Sequence, residues 1–348
     1  MKRILALLLL TTLVLNLTSM AGALQTAEDF LRGIASGGGL VAASLKLELG
    51  TPKAAAPSAE YFNGGIIVLE PGITDESASA AIRAPAEAPP PPATDPFEIL
   101  PTTIAGGMTI SNATGFQPDI YALLAEPLDL RLPSSGPQIL IIHTHGSEAY
   151  SPSDSDFYTP TDVSRTEDKA YNVIRVGDEL ASELEKRGLR VLHDREIYDY
   201  PSYTGSYNRS LEATEQYLSQ YPDIAIVIDL HRDALGAGDI IYKTVANVSG
   251  ESSSQLMMLV GTGENGLYHP YWQDNLKLAL NLQNAVNNSY PTLARPVALK
   301  QERYNQHLTR GSIILEVGSS GNTLREALSA VRLYAAAIAP YLNSLAES

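Results

Sequence analysis

Cysteine is absent from the 348 residues. That removes disulfides, thiolate metal sites and cysteine nucleophiles together, so any metal must be held by His, Asp or Glu. An exported chain without disulfides suits bacteria that lack an oxidising compartment. Basic residues are also scarce: 24 Lys and Arg stand against 39 Asp and Glu, a formal charge of -15, with no basic run beyond the first residues. A polyanion would be repelled by the average surface, which argues against nucleic acid as partner. The G-x-S-x-G elbow is missing too. Gly205-Ser206-Tyr207 and Gly311-Ser312 lack its form, so a serine hydrolase is not expected. There is no internal repeat.

The chain opens with Met1-Lys2-Arg3 and an apolar run from Ile4 to about Leu17, followed by Met20-Ala21-Gly22-Ala23. A basic start, an apolar stretch and small residues describe an export signal. Counting on through Gly22, the run reaches the length of about 20 that spans a bilayer. Residues 1–24 are therefore a cleaved signal peptide or a retained membrane anchor, and both place the remainder outside the cytoplasm. Residues 25–70 are weakly patterned, with a short helix expected over 27–34 and a short strand over 64–70. Residues 71–98 shift to Ala, Pro and acidic residues, with four prolines at Pro89–Pro92. That composition is a polyproline II linker, able to hold residues 99–348 away from a membrane or wall.

Beyond the linker, apolar runs alternate with helical periodicity. Strands are expected over 139–142, 189–194, 224–231, 240–248, 255–260 and 312–318, and helices over 168–187, 211–221, 272–290 and 322–342. Such alternation predicts an α/β fold with a mostly parallel central sheet and helices on both faces.

Three of the buried runs end in metal-binding groups. Ile139–Ile142 is followed by His143, His145 and Glu148, where open α/β sheets place their ligands. The run ending at Ile228 is followed by Asp229, His231, Arg232 and Asp233, and Glu316 lies inside the apolar run of residues 312–318. A carboxylate inside an apolar strand costs several kcal/mol unless it is paired or metal-linked. His145, Glu148 and His231 make a two-histidine, one-carboxylate set with room for a water, the composition of catalytic zinc. Glu316 is then the candidate general base. His143 and His145 share a strand face, so either can be the ligand; His145 is favoured because it pairs with Glu148 and clears the apolar run. The order HxxE…H…E is also that of zinc carboxypeptidases and cell-wall amidases with comparable sheets, by analogy. His193 reads as a capped loop histidine or a strand-end group. His269, before Tyr271 and Trp272, reads as aromatic packing at a helix entry, which is favoured, or as a substrate platform. Tyr304-Asn305-Gln306-His307 either donates to an oxyanion or caps a turn.

The segments HTHGSEAY (143–150), NVIRVGDEL (172–180), GSYNRSL (205–211), DLHRDA (229–234), YNQHL (304–308) and ILEVGSSGNTLREA (314–327) together resemble the stage II sporulation protein P family. The likeness runs from about Pro137 to the C-terminus. It implies a membrane-anchored zinc enzyme of endospore-forming bacteria, in the mother-cell membrane at the septum. That enzyme cleaves peptidoglycan as N-acetylmuramoyl-L-alanine amidase and endopeptidase during forespore engulfment. It further implies partnership with stage II sporulation proteins D and M. Residue by residue, the resemblance supports His145, Glu148 and His231 at a zinc ion and Glu316 as catalytic carboxylate, with His143, Arg232 and Asn305 as supporting or substrate-binding neighbours. Outside this family, the motifs suit an exported carboxypeptidase-like zinc peptidase or a wall-binding scaffold without catalysis.

Overall fold

A computed structural model describes residues 98–99, 108, 110–153, 155–237 and 240–346, all of which belong to one compact unit. The expected signal or anchor, the short helix and strand over 27–70 and nearly all of the linker lie outside them. The strands are β1 (Glu98–Ile99), β2 (Ile110–Asn112), β3 (Ile139–Ile142), β4 (Val191–His193), β5 (Ile226–Asp233), β6 (Gly236–Ala237), β7 (Ile240–Lys243), β8 (Val245–Val248), β9 (Glu251–Ser254), β10 (Leu256–Gly261), β11 (Val297–Lys300) and β12 (Ser312–Ser319). Seven of them form the central sheet in the order β2-β11-β10-β12-β5-β3-β4. Only the β10–β12 pairing is antiparallel. This is the mostly parallel α/β sheet expected from the alternating pattern.

Side-chain alternation along the central strands divides the core by face. Ile139, Ile141, Ile226, Ile228, Leu230, Ile313, Leu315 and Val317 pack in one large cluster with the helices Val173–Glu185, Trp272–Ser289 and Leu324–Ser344. Leu140, Ile142 and Val227 point the other way, against Ala213, Tyr217 and Leu218 of the helix Ser206–Gln220. Helices thus cover both faces, the second by the helix Ser206–Gln220. Even positions on β12 and odd positions on β5 turn toward the thinly covered face, which is where the polar residues of these strands collect.

Several boundaries differ from the sequence expectation for identifiable reasons. The helix expected over 168–187 starts at Val173, because the Asn172 side chain accepts from Ile174 N and caps it. The single strand expected over 240–248 is two, β7 and β8, in different sheets. Between them the Asn322 amide bonds both backbone groups of Thr244, whose carbonyl also accepts from Gln255 N at 3.2 Å. The helix Ser206–Gln220 begins five residues before the expected 211. Gly205 precedes it at φ 82°, a left-handed conformation open to glycine.

Candidate metal and catalytic site

His231 and Asp229 lie on β5 on the face opposite Ile228 and Leu230. Glu316 lies on the same face of β12, and its Cα pairs with that of His231 across the parallel ladder. His145 and Glu148 arrive from the turn after β3, closed by the Glu148 N–H donating to the His145 carbonyl at 3.1 Å. The His145 and His231 rings meet edge to face with centroids 5.3 Å apart. Glu148 Oε2 is 3.3 Å from His231 Nδ1. Two donors on one tetrahedral zinc stand roughly 3–3.5 Å apart. The three ligand candidates and Glu316 are all buried.

Burial and neighbours set the charges. Desolvation lowers the His145 pKa to about 3, so its imidazole is neutral. Burial would lower His231 as well, but Asp229 and Glu148 outweigh it and raise that pKa well above its usual value. The burial of Glu148 is overcome by Arg232, His231 and Arg165, which hold its carboxyl well below the ordinary range. Glu316 behaves oppositely. Desolvation first, then Asp233 and Glu148, push its pKa up to about 8 against the pull of His231 and Arg295.

The donor set fits a zinc ion by type and proximity. His145 Nδ1 and Glu316 Oε2 are buried without a hydrogen-bond partner, while His231 Nε2 faces Asp229 at 2.9 Å. Buried polar atoms left so are costly, and imidazole nitrogen with carboxylate oxygen is zinc chemistry. Among the described residues no three His, Asp or Glu side chains already surround one point as ligands. Glu148 instead turns to the Arg232 N–H at 3.1 Å and to the Arg165 and Arg232 guanidiniums, each 3.7 Å away.

The other predicted residues hold this centre in place. Arg232 is buried and anchors the turn, donating from Nε to Ala149 O and from Nη2 to Ser164 O. His143 points to the opposite side of the sheet end. Its Nδ1 bonds the Leu230 carbonyl at 2.9 Å and its Nε2 meets His193 Nε2 at 2.8 Å. His193 in turn lies 3.2 Å from Asp178, so it has the companion that its sequence context did not reveal. Asn305 donates to Tyr207 O and Ser210 Oγ, and Ser210 meets Thr144 Oγ1, which donates to Asp229. Asn305 therefore acts on His231 at a distance. Gln306 bonds Gly261 N and Leu259 O, so the 304–308 segment is a brace for the sheet end.

Three residues at this site went unsingled in the sequence, and a fourth, Asp229, was noted there only as one of the groups that follow the apolar run. Asp229 stands 2.9 Å from His231 Nε2 and accepts from Thr144 N and Oγ1. It lies inside an apolar strand, so the reasoning that singled out Glu316 applied to it equally. Asp199 accepts from Ser147 N, Ser147 Oγ and Arg165 Nη1 and lies 3.9 Å from His145 Nδ1. Arg165 bridges Asp199 and Glu148 from the loop after the turn. Tyr203 stacks on His145 with ring centroids 4.5 Å apart and an interplanar angle of 9°, its hydroxyl 3.2 Å from His145 Nε2. The last three sit in loops with no periodic pattern, where an acid, a base and an aromatic read as ordinary surface.

The family model for stage II sporulation protein P matches residues 98–339. Stage II sporulation protein P of Bacillus subtilis (strain 168) is 27% identical over 199 residues, covering 54% of this chain and 47% of that protein. The chain thus spans about half the length of the curated relative it matches. Among solved structures, N-acetylmuramoyl-L-alanine amidase AmiC2 of Nostoc punctiforme is similar at 16% identity and a TM-score of 0.35, over 61% of this chain and 98% of that one. The CwlD amidase of Clostridioides difficile, solved with the GerS lipoprotein, is similar at 12% identity and a TM-score of 0.37, over 60% of this chain and 98% of that one. With more than half of its length matched by the family model, the chain belongs to the stage II sporulation protein P family.

Proposed function

We propose that this chain is a zinc-dependent peptidoglycan hydrolase. It acts as an N-acetylmuramoyl-L-alanine amidase with endopeptidase activity and frees stem peptides from wall glycan during forespore engulfment. The observation that carries the reading is the meeting of His145, Glu148 and His231 from two strand ends, with Glu316 in register beside His231. His145, Glu148 and His231 would hold the zinc. When bound, the ion supplies a Lewis acid for the amide carbonyl and a water acidified toward a pKa of about 7.

The chain's own residues do the rest. Glu316, buried on a rigid strand beside His231, takes a proton from the attacking water and delivers it to the departing nitrogen. Arg232 and Arg165 fix Glu148, and Asp229 orients His231. Family membership supports sporulation as the setting, with stage II sporulation proteins D and M as partners and an exported, membrane-associated location through residues 1–24.

The test is digestion of purified wall by the full chain, with and without a chelator, followed by mass analysis of what is released. The amidase reading expects intact stem peptides, lost with chelator and restored by zinc. Release of single C-terminal residues from free peptides supports the carboxypeptidase-like reading instead, and wall binding without release supports a scaffold.

A further inference from the structure

Hydrolysis of an amide places negative charge on the carbonyl oxygen as water adds, and a hydrogen-bond donor aimed there lowers the barrier. Most donors around the two histidines are already engaged. Asn305 donates both amide hydrogens, to Tyr207 O and Ser210 Oγ. Thr144 Oγ1 donates to Asp229 and Ser147 Oγ to Asp199. Arg165 is held by Asp199 and Glu148, and Arg232 by Glu148 and two backbone carbonyls. Among the nearby tyrosines, Tyr150 donates to Val317 O at 3.0 Å and Tyr203 is bonded to His145 Nε2 at 3.2 Å. Tyr304 is hydrogen-bonded to the Glu302 side chain.

Tyr207 is placed differently. Its half-buried ring meets His145 edge to face, with centroids 5.5 Å apart and an interplanar angle of 89°, and leans on Tyr304 at 5.8 Å. Among the described residues its hydroxyl has no hydrogen-bond partner. That hydroxyl is not sealed from water either, unlike the unpartnered Glu316 Oε2. A donor that is both free and open is available to a substrate. Desolvation first, then Asp229, Tyr304, Tyr203 and Glu316, raise its pKa well above the ordinary value, so it keeps its proton at neutral pH. Asp229 and Glu316 stand on neighbouring strands, on the sheet face that the helix Ser206–Gln220 covers. Tyr207 lies in the first turn of that helix, and the turn is pinned. The Asn305 amide donates to the Tyr207 carbonyl at 2.9 Å and to Ser210 one turn on. Such fixing is what a preorganised donor needs, since it removes reorganisation at the moment of reaction.

We propose that Tyr207 is a catalytic residue whose hydroxyl donates a hydrogen bond to the substrate carbonyl oxygen as the tetrahedral centre forms, with Asn305 as its positioning residue. The inference rests on the amidase reading. Water oxygen bonds to the amide carbon, the carbon–nitrogen bond breaks, and the water's proton travels through Glu316 to the leaving nitrogen. Tyr207 keeps its own proton throughout and contributes only the hydrogen bond.

The experiment compares the full chain with its Tyr207→Phe variant, which keeps the ring against His145 and Tyr304 and loses the oxygen. The readouts are kcat and KM for fragment release from purified wall, zinc affinity by chelator competition, and affinity for a phosphinic peptide that mimics the tetrahedral centre. The expected result is a kcat lower by about 10²-fold with phosphinate binding weakened in proportion, and KM and zinc affinity within about twofold of wild type. An Asn305→Ala variant loses kcat in the same direction, and adding it to Tyr207→Phe costs little more, because the two residues act as one unit. Losses that simply multiply would remove Asn305 from the role given to it. Unchanged kcat in Tyr207→Phe overturns the proposal. So does a fall in zinc affinity that accounts for the lost activity, because the residue then supports His145 and does not meet substrate. A wild-type chain that releases nothing from wall sinks the amidase reading and this proposal with it, whereas activity untouched by Tyr207→Phe sinks the proposal alone.

Discussion

Glu316 and His231 are Cα partners on adjacent parallel strands, with their side chains on the same face of the sheet. That register brings a buried carboxyl to a histidine from a segment 85 residues earlier, on backbone that cannot drift because both strands are buried throughout. A candidate proton acceptor and a candidate metal ligand are thereby fixed relative to each other by ladder hydrogen bonds.

Glu316→Gln keeps the shape and removes the proton acceptor. Wall hydrolysis falls by about 10²–10⁴-fold while zinc content is unchanged. The melting temperature is no lower than wild type, because burial already disfavours the ionised carboxyl. Turnover at the wild-type rate would exclude Glu316 from the chemistry.

Asp229→Asn removes the charge beside His231 Nε2 and alters the acceptor of Thr144. Loss of a carboxylate that orients a ligating histidine costs 10–100-fold in metal affinity, to order of magnitude. Competition with a fluorescent chelator measures it. Unaltered affinity would mean that Asp229 only satisfies Thr144.

Arg295 and Asp233 form a pair 2.7 Å apart with both side chains buried. Arg295→Met leaves the aspartate charge uncompensated and destabilises the fold by about 3–5 kcal/mol in chemical denaturation. Adding Asp233→Asn recovers most of that loss. A double variant no more stable than the single one would show that the cost lies in packing.

Gly177 sits inside a helix, where alanine would ordinarily gain up to about 1 kcal/mol. Here an added Cβ would stand 2.5 Å from His193 Nε2 and 2.6 Å from His143 Nε2. Both rings must move, breaking the bond between them. Gly177→Ala therefore lowers stability by about 1–3 kcal/mol, and a rise in melting temperature would contradict the packing described.

His269 is buried with neither ring nitrogen hydrogen-bonded. Desolvation, then His307 and Arg303, lower its pKa from 6.5 to about 4. The folded state thus holds it neutral while the unfolded chain protonates near pH 6.5. Its contribution to stability is complete above that value and is lost as pH falls toward 4. A His269→Phe variant shows a shallower loss of stability than wild type over this window. Parallel curves would show that His269 titrates alike in both states.

Much of this architecture was legible in the sequence, for a physical reason. Ile139–Ile142 and the runs in β5 and β12 are covered on both faces, so they are apolar at every position and announce themselves. The polar groups that interrupt or end them, His145, Glu148, His231 and Glu316, are conspicuous against that background. The start of the Ser206–Gln220 helix was hidden because its buried face is Ser206, Ser210 and Thr214, which serve the polar network under the site and carry no apolar rhythm. β11 was missed because its four residues follow Arg295-Pro296 and end in Lys300. Asp199, Arg165 and Tyr203 reach the site from loops, whose course depends on tertiary contacts and leaves no periodic trace.

The central claim is that one zinc ion is held by His145, Glu148 and His231. Zinc-edge anomalous diffraction from crystals of the zinc-loaded chain tests it most directly. The predicted map has a single strong peak within about 2.0–2.3 Å of a donor atom of each of the three side chains. A peak at other residues, or none at this site in zinc-loaded crystals, would contradict it.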